Sequence, residues 1–86
     1  MKEVERKLKA LASRPRLRIL QHLKKHGTAT VTEIATTLTL APATVSRHLL
    51  RLAIMDIVLS RQRGRYVLYR LRLPQDPLVK MVLARI

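Results

Sequence analysis

The 86-residue chain has no cysteine, phenylalanine, tryptophan or asparagine, only two tyrosines and two glycines, and five acidic residues. Without cysteine there is neither a disulfide framework nor a thiolate metal site, which fits a cytoplasmic location. No apolar run approaches the roughly 20 residues that span a bilayer, and the start, MKEVERKLKA, is too polar for a signal peptide, so no membrane association is expected. No glycine-rich phosphate loop is present, the carboxylates form no acid–base pair, and no nucleophile stands beside a base. The chain is therefore not expected to be an enzyme or to carry a cofactor.

What is abundant is positive charge. Eighteen Lys and Arg against five Asp and Glu leave a formal net charge of +13, and the pI is about 11.7. Such an imbalance attracts polyanions. Ribosomal proteins and membrane-surface peptides share it, so charge alone does not select DNA. Eighty-six residues make one domain, near the lower end of what folds comfortably alone.

The stretch from Thr30 to Leu52 reads as two short helices joined by a tight turn. Thr30 and Glu33 form a T-x-x-E capping box that satisfies orphan N–H groups at the first helix start. Ile34, Ala35 and Leu38 give that helix one apolar stripe. Thr39 and Leu40 carry the turn, and Pro42 suits the first turn of the next helix, where its missing N–H has no partner to lose. Val45, Leu49 and Leu52 then fall at i, i+4 and i+7 and share an inward face. At about 100° per residue the opposite face carries Ala43, Arg47 and Leu50, flanked by Thr44, Ser46 and Arg51. Small residues at a helix start permit close approach to base edges, and arginine bonds guanine bidentately. Ala43, Thr44, Ser46, Arg47 and Arg51 are thus the candidate major-groove contacts. The pattern is degenerate, and a helical hairpin with a solvated basic face is spelled the same way.

The flanks supply a scaffold. Residues 2–12 form a helix with the stripe Val4, Leu8 and Leu11, too short to hold alone, so it must pack on something else. Ser13 caps a second helix over residues 14–26 that buries Leu17, Leu20 and Leu23, with Ile19 alongside, and ends at Gly27. His22 and His26 stand at a spacing compatible with shared metal ligation, yet no Cys, Asp or Glu completes the set. They read as surface histidines, and no metal is expected. Thr28 and Ala29 read as a scrap of edge strand. The helix after Pro42 runs to Met55 and stops at Asp56, a residue type that tolerates the left-handed conformation.

From Ile57 the apolar period changes to about 2, and IVLSRQRGRYVLYRLRL spells a β-hairpin with Gly64 at its tip. Arg61, Arg63 and Arg65 crowd that tip. They form either a wing reaching DNA backbone or minor groove, or edge-strand charges that block aggregation. Residues 74–86 form a closing helix with Asp76 as N-cap and Pro77 as first residue. Leu78, Val79, Met81, Val82, Leu83 and Ile86 cover too much of its circumference for one buried side. Val4, Leu8 and Leu11 are the natural partners of Leu78, Val79, Val82, Leu83 and Ile86, so a two-fold dimer built from both chain ends is expected. The fold class is mainly α with a β-hairpin (α+β), a winged helix-turn-helix in the order α-α-α-α-β-β-α, one domain over residues 1–86.

Three segments, LKALASRPRLRIL (Leu8–Leu20), TVSRHLLRL (Thr44–Leu52) and GRYVLYRL (Gly64–Leu71), resemble the ArsR family of bacterial and archaeal winged-helix repressors. Members typically show an LKALADPTRLRIL-like opening, a TVSxHLxxL recognition helix and a GRxVxYxL wing. The resemblance implies a homodimeric, metal- or effector-responsive repressor whose recognition helices enter successive major grooves of a pseudo-palindromic double-stranded site. Ser46, Arg47 and His48 fall on the family's S-x-H core, where His48 either contacts phosphate or packs. The departures concern sensing. Where thiol-sensing members carry C-V-C, this chain reads Thr30-Val31-Thr32, and hydroxyls are poor ligands for soft metals. Other members hold zinc between their last helices through Asp and His, and nothing from Pro77 to Ile86 ligates a metal. DNA affinity is therefore expected not to respond to zinc, cadmium or arsenite. A sequence-specific repressor is the favoured function. The alternative is a basic winged-helix module for protein–protein contact or nonspecific nucleic-acid binding.

Overall fold

Two hydroxyl residues set where two of the five helices begin. In the computed structural model, which describes residues 1–86, the elements are α1 (Lys2–Leu11), α2 (Arg14–His26), β1 (Thr28–Ala29), α3 (Val31–Leu38), α4 (Pro42–Ile54), β2 (Val58–Arg63), β3 (Tyr66–Leu71) and α5 (Pro77–Leu83). Ser13 Oγ accepts from the Arg16 amide at the start of α2. Thr30 and Glu33 close the reciprocal box at α3, with the Glu33 amide donating to Thr30 Oγ1 at 3.2 Å and the Thr30 amide donating to Glu33 Oε1 at 2.9 Å. These bonds hold the Glu33 carboxyl below its ordinary range.

β1 is a true third strand. Thr28 pairs with Arg70 and Ala29 with Tyr69, so the antiparallel sheet has the order β1-β3-β2. The hairpin register runs from Val58↔Leu71 at its base to Arg63↔Tyr66 at its tip, leaving a two-residue turn of Gly64 and Arg65. Gly64 has φ +61° while Arg65 keeps a negative φ, so only the first turn position needs glycine. The closing helix is shorter than the expected 74–86. Asp76 accepts from the Val79 amide at 3.1 Å and fixes the start at Pro77, and a tight Arg85-to-Val82 backbone bond closes the far end.

The core is one cluster to which every major element contributes. Ile19, Leu20 and Leu23 of α2, Ile34 of α3, and Val45, Leu49 and Leu52 of α4 lie inside, closed by Ile57, Val58 and Val79. No buried side-chain nitrogen or oxygen lacks a partner. His22, read from sequence as a surface residue, is buried instead, because α2 packs on more than its leucine stripe. Its ring lies 4.4 Å from that of the exposed His26. No helix is long and apolar enough to cross a membrane.

Two non-glycine residues adopt left-handed backbone, and both end helices. Asp56 (φ 59°) follows α4, with Ile57 N–H returning to the Leu52 carbonyl and Asp56 N–H to that of Ala53, the paired bonds of a Schellman closure. Thr39 (φ 56°, ψ 50°) sits in the turn between α3 and α4. A β-branched residue is strained there by about 1–2 kcal/mol, against which glycine loses about 0.5–1 kcal/mol through its freer unfolded state. Thr39→Gly is therefore expected to stabilise the chain by about 0.5–1 kcal/mol, a Tm rise of a few degrees measurable by calorimetry. A lowered Tm would show that the hydroxyl or the methyl compensates the strain.

Candidate nucleic-acid interface

The inward row of α4 decides what its outward row presents. With Val45, Leu49 and Leu52 fully buried, Ala43, Arg47, Leu50, Arg51 and Ile54 stand exposed, and Thr44 and Ser46 are half-buried at the margins. Arg47 Nη2 leans on Thr44 Oγ1 at 3.4 Å, so its guanidinium follows the helix surface toward the N-terminal turn. No carboxylate lies on α4 or on either strand of the hairpin.

Alternation along the hairpin places Arg61 and Arg63 on one face with Tyr66 and Leu68, opposite the face that buries Val58 and Tyr69. Arg61, Arg63 and Arg65 are all exposed. The tip is stiffened locally: Gln62 Nε2 donates to the Gly64 carbonyl at 2.8 Å, and the Arg65 guanidinium lies over the Tyr66 ring at 5.7 Å from its centroid. Arg72 takes no part in this surface, because it pairs with Asp56 at 3.1 Å.

Of the two roles that its sequence position leaves open for His48, phosphate contact or packing, the structure shows a packed ring with a partner inside the chain. Its Nδ1 accepts from Arg16 Nε at 3.1 Å, and the ring is half-buried. The same guanidinium donates through Nη1 to the carbonyls of Ala10 (3.1 Å) and Lys9 (3.3 Å), near the end of α1 where helix carbonyls have no partner of their own. Arg16 thus ties α1, α2 and α4 together. Nothing in the sequence signals the contact, since Arg16 and His48 are 32 positions apart. Sequence reasoning also passed over Arg6 and Lys9. They line, with Arg47, Leu50, Arg51 and Ile54, a groove of about 450 Å³ that extends the basic surface from α4 onto α1.

Both histidines that pack inward are shifted toward the neutral form. Burial lowers the His48 pKa, with Arg16 and Arg47 adding to the effect, and burial followed by His26 lowers that of His22. Their neutral forms belong to the folded state, so the stability they contribute is complete above the ordinary value of about 6.5 and is lost as pH falls below it. Glu33 and Asp76, whose carboxyls are held low, protonate only in more acidic solution. A Tm that falls as the pH drops below about 6.5 is therefore expected from the histidines. His48→Asn, whose Oδ1 can accept from Arg16 without titrating, should reduce the fall. An unchanged pH profile in that variant would remove His48 from the account.

The residues expected at a subunit interface divide in two. Leu11, Val79 and Leu83 lie in the protomer's own core at 4%, 0% and 8% exposure, because α1 and α5 each face α2. Val82 and Ile86 are half-buried against the same core, and Leu78 is half-buried. Val4 and Leu8 remain about half exposed, joined by Met81, which the expectation omitted. An ion pair from Lys7 to Asp76 links α1 to the cap of α5. That bond raises the Lys7 pKa and lowers the Asp76 pKa. No three His, Asp or Glu side chains converge where they could hold a metal ion.

A model of a bacterial regulatory protein family, arsR, matches residues 13–60. Among solved structures, reduced HlyU from Vibrio cholerae superposes with a TM-score of 0.81 at 28% identity, covering 98% of this chain and 84% of that one. The AntR antimony-specific transcriptional repressor is 35% identical over 91% of this chain and 68% of its own, with a TM-score of 0.77. The homodimeric winged helix-turn-helix DNA-binding domain of Mb0332 from Mycobacterium bovis gives a TM-score of 0.82 at 30% identity, covering 98% of this chain and 75% of that one. Among curated proteins, no relative matches the chain.

Proposed function

Because the chain belongs to the arsR family of bacterial regulatory proteins, we propose that it is a homodimeric repressor of transcription that grips a pseudo-palindromic duplex through two copies of α4 and two wings. The fold is the winged helix-turn-helix, and the family's members are DNA-binding transcriptional regulators. The observation that carries the reading is the acid-free surface of α4 and the hairpin, with Arg47 and Arg51 on the helix and Arg61, Arg63 and Arg65 on the wing, all exposed.

The parts take different roles. Ala43 keeps the start of α4 slim enough to enter a major groove, and Thr44 and Ser46 offer hydroxyls at its margins. Arg47 reads a base edge, while Arg51 and the wing arginines hold phosphates and set register. Arg16 positions α4 by holding His48, so that histidine supports the surface from behind. Val4, Leu8 and Met81 form the exposed apolar share of the subunit interface, and the half-buried Leu78, Val82 and Ile86 carry it to the protomer core.

The experiment is a paired titration of a selected site and a random duplex at fixed salt. Preference for the site by at least about a thousandfold is expected of a regulator. Arg47→Ala should cost about 1–3 kcal/mol on the selected site and relax discrimination at one base step. Arg63→Ala should weaken both duplexes nearly alike. Equal affinity of the native chain for both duplexes would replace this reading with a nonspecific basic module.

A further inference from the structure

At the base of the hairpin, far from its tip, a cavity of about 780 Å³ opens between the C-terminal end of α2, the end of β3 and the side of α5. Its size is that of a small-molecule site. Leu23 and Leu83, nearly fully buried, and the half-buried Leu71 give it an apolar floor. Leu73, on the connector between β3 and α5, stands at its rim with 73% of its surface exposed. Lys24, Arg70 and Lys80 surround this floor, and no carboxylate lines the cavity. Lys24 Nζ is held by the Leu83 carbonyl at 2.7 Å. Arg70 and Lys80 are exposed and enter none of the three ion pairs of the structure.

An apolar floor ringed by unpaired cations is the complement of one ligand chemistry. DNA phosphates have no use for a leucine floor, and a neutral apolar ligand has no use for the cations. The geometry points to a binding site for a small amphipathic organic anion, a carboxylate on an aromatic or short aliphatic body, whose occupancy adjusts DNA affinity. The carboxylate meets Lys80 and Arg70, and the body lies on Leu71 and Leu83 beneath Leu73. The site joins β3, which leads into the wing, to α5, which belongs to the proposed subunit interface, so a ligand there bears on both. This regulatory role rests on the reading of the chain as a DNA-binding repressor. Coupling requires that the anion bind the free and DNA-bound forms unequally.

The test uses the full chain with 2-naphthoate and its neutral analogue 2-naphthamide as probes, followed by amide chemical shifts in NMR. Saturable shifts at Lys24, Leu71 and Lys80 are expected, with the carboxylate bound at least tenfold more tightly than the amide. Lys80→Glu and Leu73→Asp alter exposed side chains, and each should weaken the carboxylate at least tenfold while leaving the remaining spectrum intact. Saturating 2-naphthoate should change affinity for the selected duplex at least fivefold. Equal binding of acid and amide, shifts elsewhere, or insensitivity to both variants would overturn the site, and an unmoved DNA affinity would overturn its regulatory role. Selective DNA binding without anion binding removes this site and leaves the repressor reading standing. Loss of DNA selectivity with Lys80-dependent anion binding removes that reading and upholds the site.

Discussion

Raising the salt from about 50 to 200 mM is expected to weaken binding to a selected duplex by about 10³–10⁵-fold, the loss associated with 6–10 phosphate contacts. The footprint accounts for that number. Residues 42–72 carry seven arginines and one aspartate, a net charge of +6. Arg72 is neutralised by Asp56 and drops out. Arg70 lies at the base of the hairpin, away from the tip. Arg47, Arg51, Arg61, Arg63 and Arg65 remain on each protomer, with Arg6 flanking them across the groove to α1, where Lys9 is paired with Glu5 at 3.3 Å and drops out like Arg72. With one arginine per protomer on base edges, two protomers still offer roughly eight phosphate contacts, a log–log slope near −7 at about −0.9 per contact. Measurement is by fluorescence anisotropy across a salt series. A slope shallower than about −3 would mean that most of these arginines never touch the backbone, and the wing would then be a sheet edge protected by charge.

Leu49→Ala and Leu50→Ala, neighbours on α4, should behave as opposites. Leu49 is fully buried and Leu50 is 56% exposed. Truncating Leu49 removes buried methyl groups where α4 meets the core and leaves a cavity, at about 2–5 kcal/mol. Against a total stability of about 5–15 kcal/mol, that is enough to unfold a substantial part of the population near body temperature. Leu50→Ala should change stability by less than about 0.5 kcal/mol, because its surroundings are solvent. Urea denaturation of both variants decides the matter. Similar midpoints would place the helix in a different rotation about its axis and move Arg47 off the outer face.

The contrast between those leucines was legible in the sequence because it depends on helical spacing alone. The Thr30–Glu33 box, the Asp76 cap before Pro77 and the glycine at the hairpin tip were legible for the same reason: each is decided within four residues. What escaped depends on partners distant along the chain. An all-round apolar α5 says that two sides are covered but not which side faces the protomer, so Leu11, Val79 and Leu83 were assigned to a subunit interface while the fold buries them in the protomer's own core. His22 on α2 looks solvated until α3 and the C-terminal Ile86 are folded beside it. Whether His48 contacts phosphate or packs could not be decided from the sequence, because Arg16 reaches it only in the folded chain. The same holds for Arg6 and Lys9, whose place beside α4 follows from the crossing of α1 and not from their own spacing.

The contact from Arg16 to α1 and His48 sets more than the orientation of one helix. It makes the helix at the proposed subunit interface and the helix at the proposed groove parts of a single rigid lever. In the proposed dimer the separation of the two α4 helices would then act as a ruler, with the brace from Arg16 to α1 and His48 opposing hinge motion inside each protomer. DNA offers equivalent groove faces only once per turn, about every 10–10.5 base pairs. One base pair inserted between half-sites turns the second through roughly 34–36° and shifts it by about 3.4 Å. A hinged reader could absorb that rotation. A braced one would have to give up a half-site, so insertion of one base pair into the spacer of a selected site is expected to weaken binding about as much as loss of a base contact, measurable by the same anisotropy titration.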